Sequence, residues 1–92
     1  MRIDQLIGKP VIGARAQVLG EVCDIEINEK TMKLVSICVK LNDDAIEPMG
    51  FKKPRLRGSV RVDIPIDIIK AIGDVVNVDK SADELGTIVK RR

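Results

Sequence analysis

Cys23-Asp24-Ile25-Glu26-Ile27-Asn28 and Lys33-Leu34-Val35-Ser36-Ile37-Cys38-Val39-Lys40-Leu41, within residues 18–41, set the fold. Cys23, Ile25 and Ile27 alternate with Asp24 and Glu26, and Val35, Ile37, Val39 and Leu41 alternate with Ser36, Cys38 and Lys40. Period-2 alternation predicts two strands, each with one apolar face. The polar run Asn28 to Lys33 between them predicts the turn of an antiparallel hairpin. If both apolar sets face one core, odd residues pair with odd: Ile25 opposite Val35 or Ile37, and Cys23 opposite Ile37 or Val39. A one-residue slip would turn one apolar set outward and bring Cys23 opposite Cys38. The register favoured by burial therefore predicts that the two cysteines lie on opposite faces.

On the N-terminal side of the hairpin, Asp4 to Gly8 predicts one helical turn, with Asp4 as its cap and Gly8 as its left-handed end. Pro10-Val11-Ile12 predicts a first strand, and Gly13 to Gln17 a turn. Gly20 marks a bulge or a tight bend. Beyond the hairpin, residues 42–58 contain Pro48, Gly50, Pro54 and Gly58 with no sustained period, which predicts a long loop. Val60, Val62 and Ile64 resume the inward pattern, with Arg61 and Asp63 outward. Asp67 is read as the cap of a helical turn holding Ile68, Ile69 and Ile72, closed by Gly73. Val75 to Val78 predicts a buried strand. Ser81-Ala82-Asp83-Glu84 has the form of a capping box, ended by Gly86. Thr87 to Val89 predicts a last short strand, and Lys90-Arg91-Arg92 a frayed terminus. Five or six short antiparallel strands with one-turn helices predict an all-β protein. Such a sheet hides its apolar face and its edges by curling into a small barrel.

Bulk properties agree with one small domain. The chain has 92 residues, 45% of them hydrophobic but only 1% aromatic, so Ile, Val and Leu must build the core. Charged residues make up 33%, with a net charge of +2, too little to argue nucleic-acid binding from charge alone. Two cysteines held apart by register, with no pair at metal spacing, imply no structural disulfide and a reducing cytoplasm. Met1 to Asp4 lacks the apolar run of a signal peptide, and Ile64 to Val78 is too polar to span a bilayer. Direct membrane insertion is not expected.

Leu6-Ile7-Gly8-Lys9-Pro10-Val11, then Leu19-Gly20-Glu21-Val22 leading into Asp24-Ile25, resembles the N-terminal signature of the PRC-barrel domain. Ile64-Pro65-Ile66-Asp67 through Ala71-Ile72-Gly73-Asp74-Val75-Val76 resembles its closing segment. The resemblance implies a PRC-type β-barrel over residues 1–80, with residues 81–92 as a C-terminal extension packing on the barrel or fraying from it. Family members include the H subunit of photosynthetic reaction centres, which carries a membrane helix, and a ribosome maturation factor with a preceding domain. With Met1 so close to the barrel, no preceding domain is expected. The resemblance therefore implies the stand-alone archaeal type, similar to the CdpB cell-division proteins, which bind the FtsZ anchor SepF as dimeric adaptors. Thr31-Met32 departs from the Thr-Gly common in the family at the hairpin turn.

No His is present, and no phosphate-binding glycine motif occurs, so no catalytic residue, metal site or cofactor is expected. Asp43, Asp44 and Glu47 read as a solvated acidic loop rather than a cation site. Two surfaces are candidates. The outward side of the hairpin, Val22, Leu34, Ser36 and Cys38, is expected to contact a partner or a second copy, and a homodimer is implied by this patch and the resemblance together. On that assignment a charge at Val22 or Leu34 leaves the fold intact and disturbs assembly. The basic loop Phe51, Lys52, Lys53, Arg55, Arg57 and Arg61 is the second. With one ring available for stacking, it favours a protein partner over nucleic acid. The expected function is a non-enzymatic adaptor binding a SepF-like protein. The alternative is an RNA- or ribosome-associated factor using residues 52–61.

Overall fold

Alternating apolar residues organise the chain into one seven-stranded sheet in the computed structural model, which describes residues 1–56 and 58–92. A helical turn α1 (Ile3–Leu6) leads into β1 (Pro10–Ile12). The long hairpin comes next as β2 (Val18–Asn28) and β3 (Lys33–Leu41). It is succeeded by α2 (Asp43–Ile46), β4 (Arg61–Pro65), β5 (Ile69–Ile72) and β6 (Val76–Val78). A turn α3 (Ala82–Leu85) and a two-residue β7 (Lys90–Arg91) end the chain. Strand order is β5-β6-β1-β2-β3-β4-β7. Neighbours run antiparallel except β1 and β6, which are parallel. Ile72 of β5 lines the same groove as Ile25 of β2 and Leu34 of β3, so the sheet curls back on itself. The fold is the mainly-β PRC-type barrel expected from the sequence, built from seven strands rather than five or six.

One core fills the concave side. Val11, Leu19, Val22, Ile37, Val39, Leu41, Val60, Val62, Ile64, Val76 and Val78 come from the sheet and its ends, and Ala45, Ile46, Met49, Ala82 and Leu85 close it. Aliphatic residues of this size each contribute roughly 1.5–3 kcal/mol when fully buried. Two glycines permit backbone contact where no side chain fits. A Cβ on Gly20 would collide with the carbonyl of Lys40, and one on Gly86 with the carbonyl of Met49. The bend expected at Gly20 is a register shift between β1 and β2, with Val11 opposite Gly20 and Ile12 opposite Val18. No helix among the described residues is long and apolar enough to cross a membrane.

Three local readings change. Residues 42–58 are not loop throughout, because Ala45, Ile46 and Met49 turn inward from α2 and the segment after it. Four helical residues are too few to display a period. Ile69 to Ile72, read as helical, is a strand paired with β6 after a short 3-10 turn at Ile66–Ile68. The tail is paired rather than frayed: Lys90 lies opposite Asp63, Arg91 opposite Val62, and the Arg92 N–H donates to the Arg61 carbonyl at 2.9 Å.

The largest correction lies in the hairpin. Ile25 does pair with Ile37, as odd-to-odd pairing predicts, but two β-bulges interrupt the ladder. Register passes from Val22–Val39 directly to Asp24–Cys38, and from Glu26–Ser36 to Ile27–Leu34. Cys23 and Val35 are the extra residues, and each reverses the inside–outside parity of the residues beyond it. Val22, expected on the outer face, is 1% exposed in the core. Leu34, also expected outside, packs against the core edge. Val35, expected inside, borders an outer groove with Glu26 and Ser36. Cys23 and Cys38 share one face. The expectation that a charge at Val22 leaves the fold intact is thus reversed. Val22→Asp strands an unpaired carboxylate in the core and is expected to abolish a stability on the order of 5–15 kcal/mol for a domain of this size, read as loss of the cooperative thermal transition in circular dichroism.

Candidate protein-contact surface

The hairpin turn begins with an asparagine that organises its own backbone. Asn28 Oδ1 accepts from the N–H groups of Lys30 (2.9 Å) and Thr31 (3.3 Å), and the Met32 N–H donates to the Asn28 carbonyl at 2.7 Å. This arrangement leaves Met32 at φ 57, in the left-handed region that a glycine would occupy without strain. Met32 is also 76% exposed. A large apolar side chain at a position suited to glycine, facing solvent, is not explained by the stability of the turn.

Met32 borders an apolar groove of about 290 Å³ together with Met1, Ile3, Leu6, Ile25, Ile27, Leu34 and Ile72. Leu6 forms its buried floor, while Met1, Ile3, Ile27 and Met32 remain exposed. Three elements build it. α1 places Ile3 and Leu6, its first turn held by the Arg2 N–H donating to Gln5 Oε1 at 2.9 Å. Gln5, not Asp4, supplies that capping contact. The bulge at Val35 sets Ile27 beside Leu34, and the curl of the sheet brings in Ile72. Of the expected interface residues, only Leu34 lies here. The other groove residues are dispersed in sequence, and the one local signal for them is an apolar residue, Met32, in an otherwise polar turn.

Ser36 and Cys38 lie on the opposite, outer face, and both are buried. The chain's own C-terminal segment returns across that face. Ile88 and Lys90 border the groove beside Ser36, and Arg92 reaches over β2 and β4. Arg92 Nη1 donates to Asp24 Oδ2 at 3.2 Å, and its Nε lies 2.9 Å from Asp63 Oδ1, in ion-pair contact but off the line of a hydrogen bond. Ser36 and Cys38 therefore do not form an interface with Val22 and Leu34.

The basic residues are placed differently. Phe51 is half-buried against the core, and the guanidinium of Arg91 sits 5.9 Å from its ring centroid. Lys52, Lys53 and Arg55, which follow Phe51 in the chain, are all exposed. Arg61 lies on β4 opposite Lys40, which in turn faces Glu21, and its carbonyl accepts the Arg92 N–H. Arg57 lies outside the described residues.

Three carboxyls are held below the usual range. Asp24 accepts the Ile25 N–H and then Arg92. Asp83 accepts the Ser81 hydroxyl, and Glu84 accepts the Ser81 N–H and hydroxyl in the capping box. Burial, and next the contact with Cys23, pushes the Cys38 thiol up to about 12.

The family model described as PRC-barrel domain matches residues 1–85, from α1 to the end of α3. No curated protein matches the chain.

A carboxyl whose folded pKa is depressed adds stability above its unfolded value, and this is lost as pH falls through the folded one. Stability is therefore expected to be level between about pH 5 and 8 and to fall below about pH 4, and the raised Cys38 thiol makes it fall again above about pH 9, where the unfolded chain ionises first. Urea midpoints measured across that range should fall less steeply in Asp24→Asn than in the parent chain.

Proposed function

The chain belongs to the PRC-barrel domain family, and on that premise we propose that it is a non-catalytic adaptor that binds another protein through the apolar groove at the hairpin tip. The observation carrying this reading is Met32, a strained and exposed apolar residue at the rim. Backbone strain that does not serve the fold concentrates where it serves a contact. Methionine is suited to such a surface because its unbranched, polarizable side chain adapts to the opposing shape.

The finer reading is a dimeric adaptor of archaeal cell division, similar to the CdpB proteins, that takes the FtsZ anchor SepF or a related protein. It would act in the cytoplasm and reach the membrane only through that partner. What supports it is the resemblance of the N-terminal and closing segments to the PRC-barrel signature, in a family that includes stand-alone archaeal proteins. Replacing Met32 by glycine separates the two demands on this residue. Met32→Gly is expected to raise stability by about 0.5–1 kcal/mol, because the strain is relieved, while weakening the complex with purified SepF about tenfold or more. Ile27→Glu should weaken it without the gain in stability. Binding unchanged in both variants would remove the groove from this role. A strict monomer on analytical ultracentrifugation, forming no complex with SepF, would remove the division reading.

The Arg91–Phe51 contact favours one second reading, an RNA-associated factor, because it sets one C-terminal cation beside the residue that begins the basic loop. It requires RNA binding that weakens steeply with salt and whose salt slope falls when Lys52, Lys53 and Arg55 are changed to glutamine. Absence of RNA binding in low salt eliminates it.

A further inference from the structure

The first hairpin bulge places two residues of β2, Cys23 and Asp24, opposite the single residue Cys38 of β3. Cys23 therefore turns to the outer face, where its Sγ lies 3.3 Å from Cys38 Sγ and 3.5 Å from the Cys38 carbonyl oxygen. Both thiols are free. Their settings differ. Cys38 is 1% exposed, whereas Cys23 is only half-buried. Asp24, Asp63 and Arg92 surround the pair from β2, β4 and the C-terminus.

We propose that Cys23 and Cys38 form a dithiol–disulfide couple, oxidised by low-molecular-weight disulfides, that closes a covalent link between β2 and β3 across the bulge. The geometry supplies what such a bond requires. The two sulfurs must approach by about 1.3 Å to reach bonding distance. The movement falls on a bulge, where β2 has an extra residue outside the ladder and so the least hydrogen bonding to lose. No other cysteine exists in the chain to compete.

The exposed partner reacts first. Cys23 loses its proton to water and its thiolate attacks one sulfur of the small disulfide, whose S–S bond breaks and releases one thiolate. The resulting mixed disulfide on Cys23 sits against Cys38. Cys38 gives its proton to the departing thiolate and attacks the Cys23 sulfur, the Cys23–Cys38 bond forms, and the second small thiol leaves. Two protein thiols are oxidised and one small disulfide is reduced to two thiols. Placement of Cys38 in contact makes the second step intramolecular, so the mixed disulfide does not accumulate. The couple rests on the bulge alone and does not depend on what occupies the groove.

The full chain, reduced and then equilibrated with glutathione buffers of increasing oxidised fraction, tests this. Acid quenching, alkylation and intact mass count the free thiols. The expected product is a single chain lighter by two hydrogens, with no alkylatable thiol and no link to a second chain, exceeding the glutathione adduct about tenfold or more. Cys38→Ala should stop at one glutathione adduct, on Cys23, and Cys23→Ser should take up little because Cys38 is covered. Phenylarsine oxide, which bridges neighbouring thiols, should bind the reduced parent chain one to one, a readout that needs no variant. Two thiols that stay alkylatable throughout, two independent glutathione adducts, or disulfides only between chains would each overturn the proposal.

Discussion

The bulge at Cys23 sets the shape of the whole molecule. Val22 and Ile25 are three residues apart, yet both point toward the core. A regular strand cannot bury both, because residues separated by an odd number lie on opposite faces. Inserting one unpaired residue between them reconciles the two and sharpens the local twist. The second bulge, at Val35, repeats the device on the partner strand. With these two interruptions a hairpin of 11- and 9-residue strands bends around one core instead of extending as a flat ribbon. The resulting curl brings β5 against the hairpin and forms the apolar groove.

The C-terminal segment completes the outer side of this bend. Its end is held by charge, with Arg92 between Asp24 and Asp63. Solvent screens such pairs, so they add little to stability. Burial of Leu85 and packing of Val89 against the core weigh more, at about 1.5–3 kcal/mol for a fully buried side chain. Apolar anchorage thus holds the segment, and the ion pairs orient its end. Once in place it covers Ser36 and Cys38, which a bare three-stranded sheet would expose.

Core and groove answer different demands. In the core, each apolar side chain is packed against others, and Gly20 and Gly86 sit where backbone approaches backbone. At the hairpin tip, Met32 accepts a strained backbone conformation while leaving its side chain in solvent. The inward pull of burial explains the first set and not the second. That contrast separates residues kept by folding from residues open to another molecule.

Much of the barrel was legible in order along the chain. The hairpin limits, the Ile25–Ile37 pairing, the inward trio Val60, Val62 and Ile64, and the capping box at Ser81 all arise from period-2 alternation and local cap chemistry, which act between near neighbours. Parity along the hairpin did not, because a bulge changes no residue type; alternation of Cys23, Ile25 and Ile27 looks the same with or without it. The short helix at Asp43–Ile46 and strand β5 escaped for want of length. The groove was illegible except at Met32, since Ile3, Ile27, Leu34 and Ile72 are brought together only by curling. Residue pattern among near neighbours was therefore enough to specify an all-β chain with a central hairpin and an aliphatic core. It was not enough to say which side of that hairpin meets the core at Val22, whether Cys23 meets Cys38, or where the exposed apolar residues gather. Those three outcomes belong to the folded sheet, because each depends on how it bends to bury Val22 and Ile25 together.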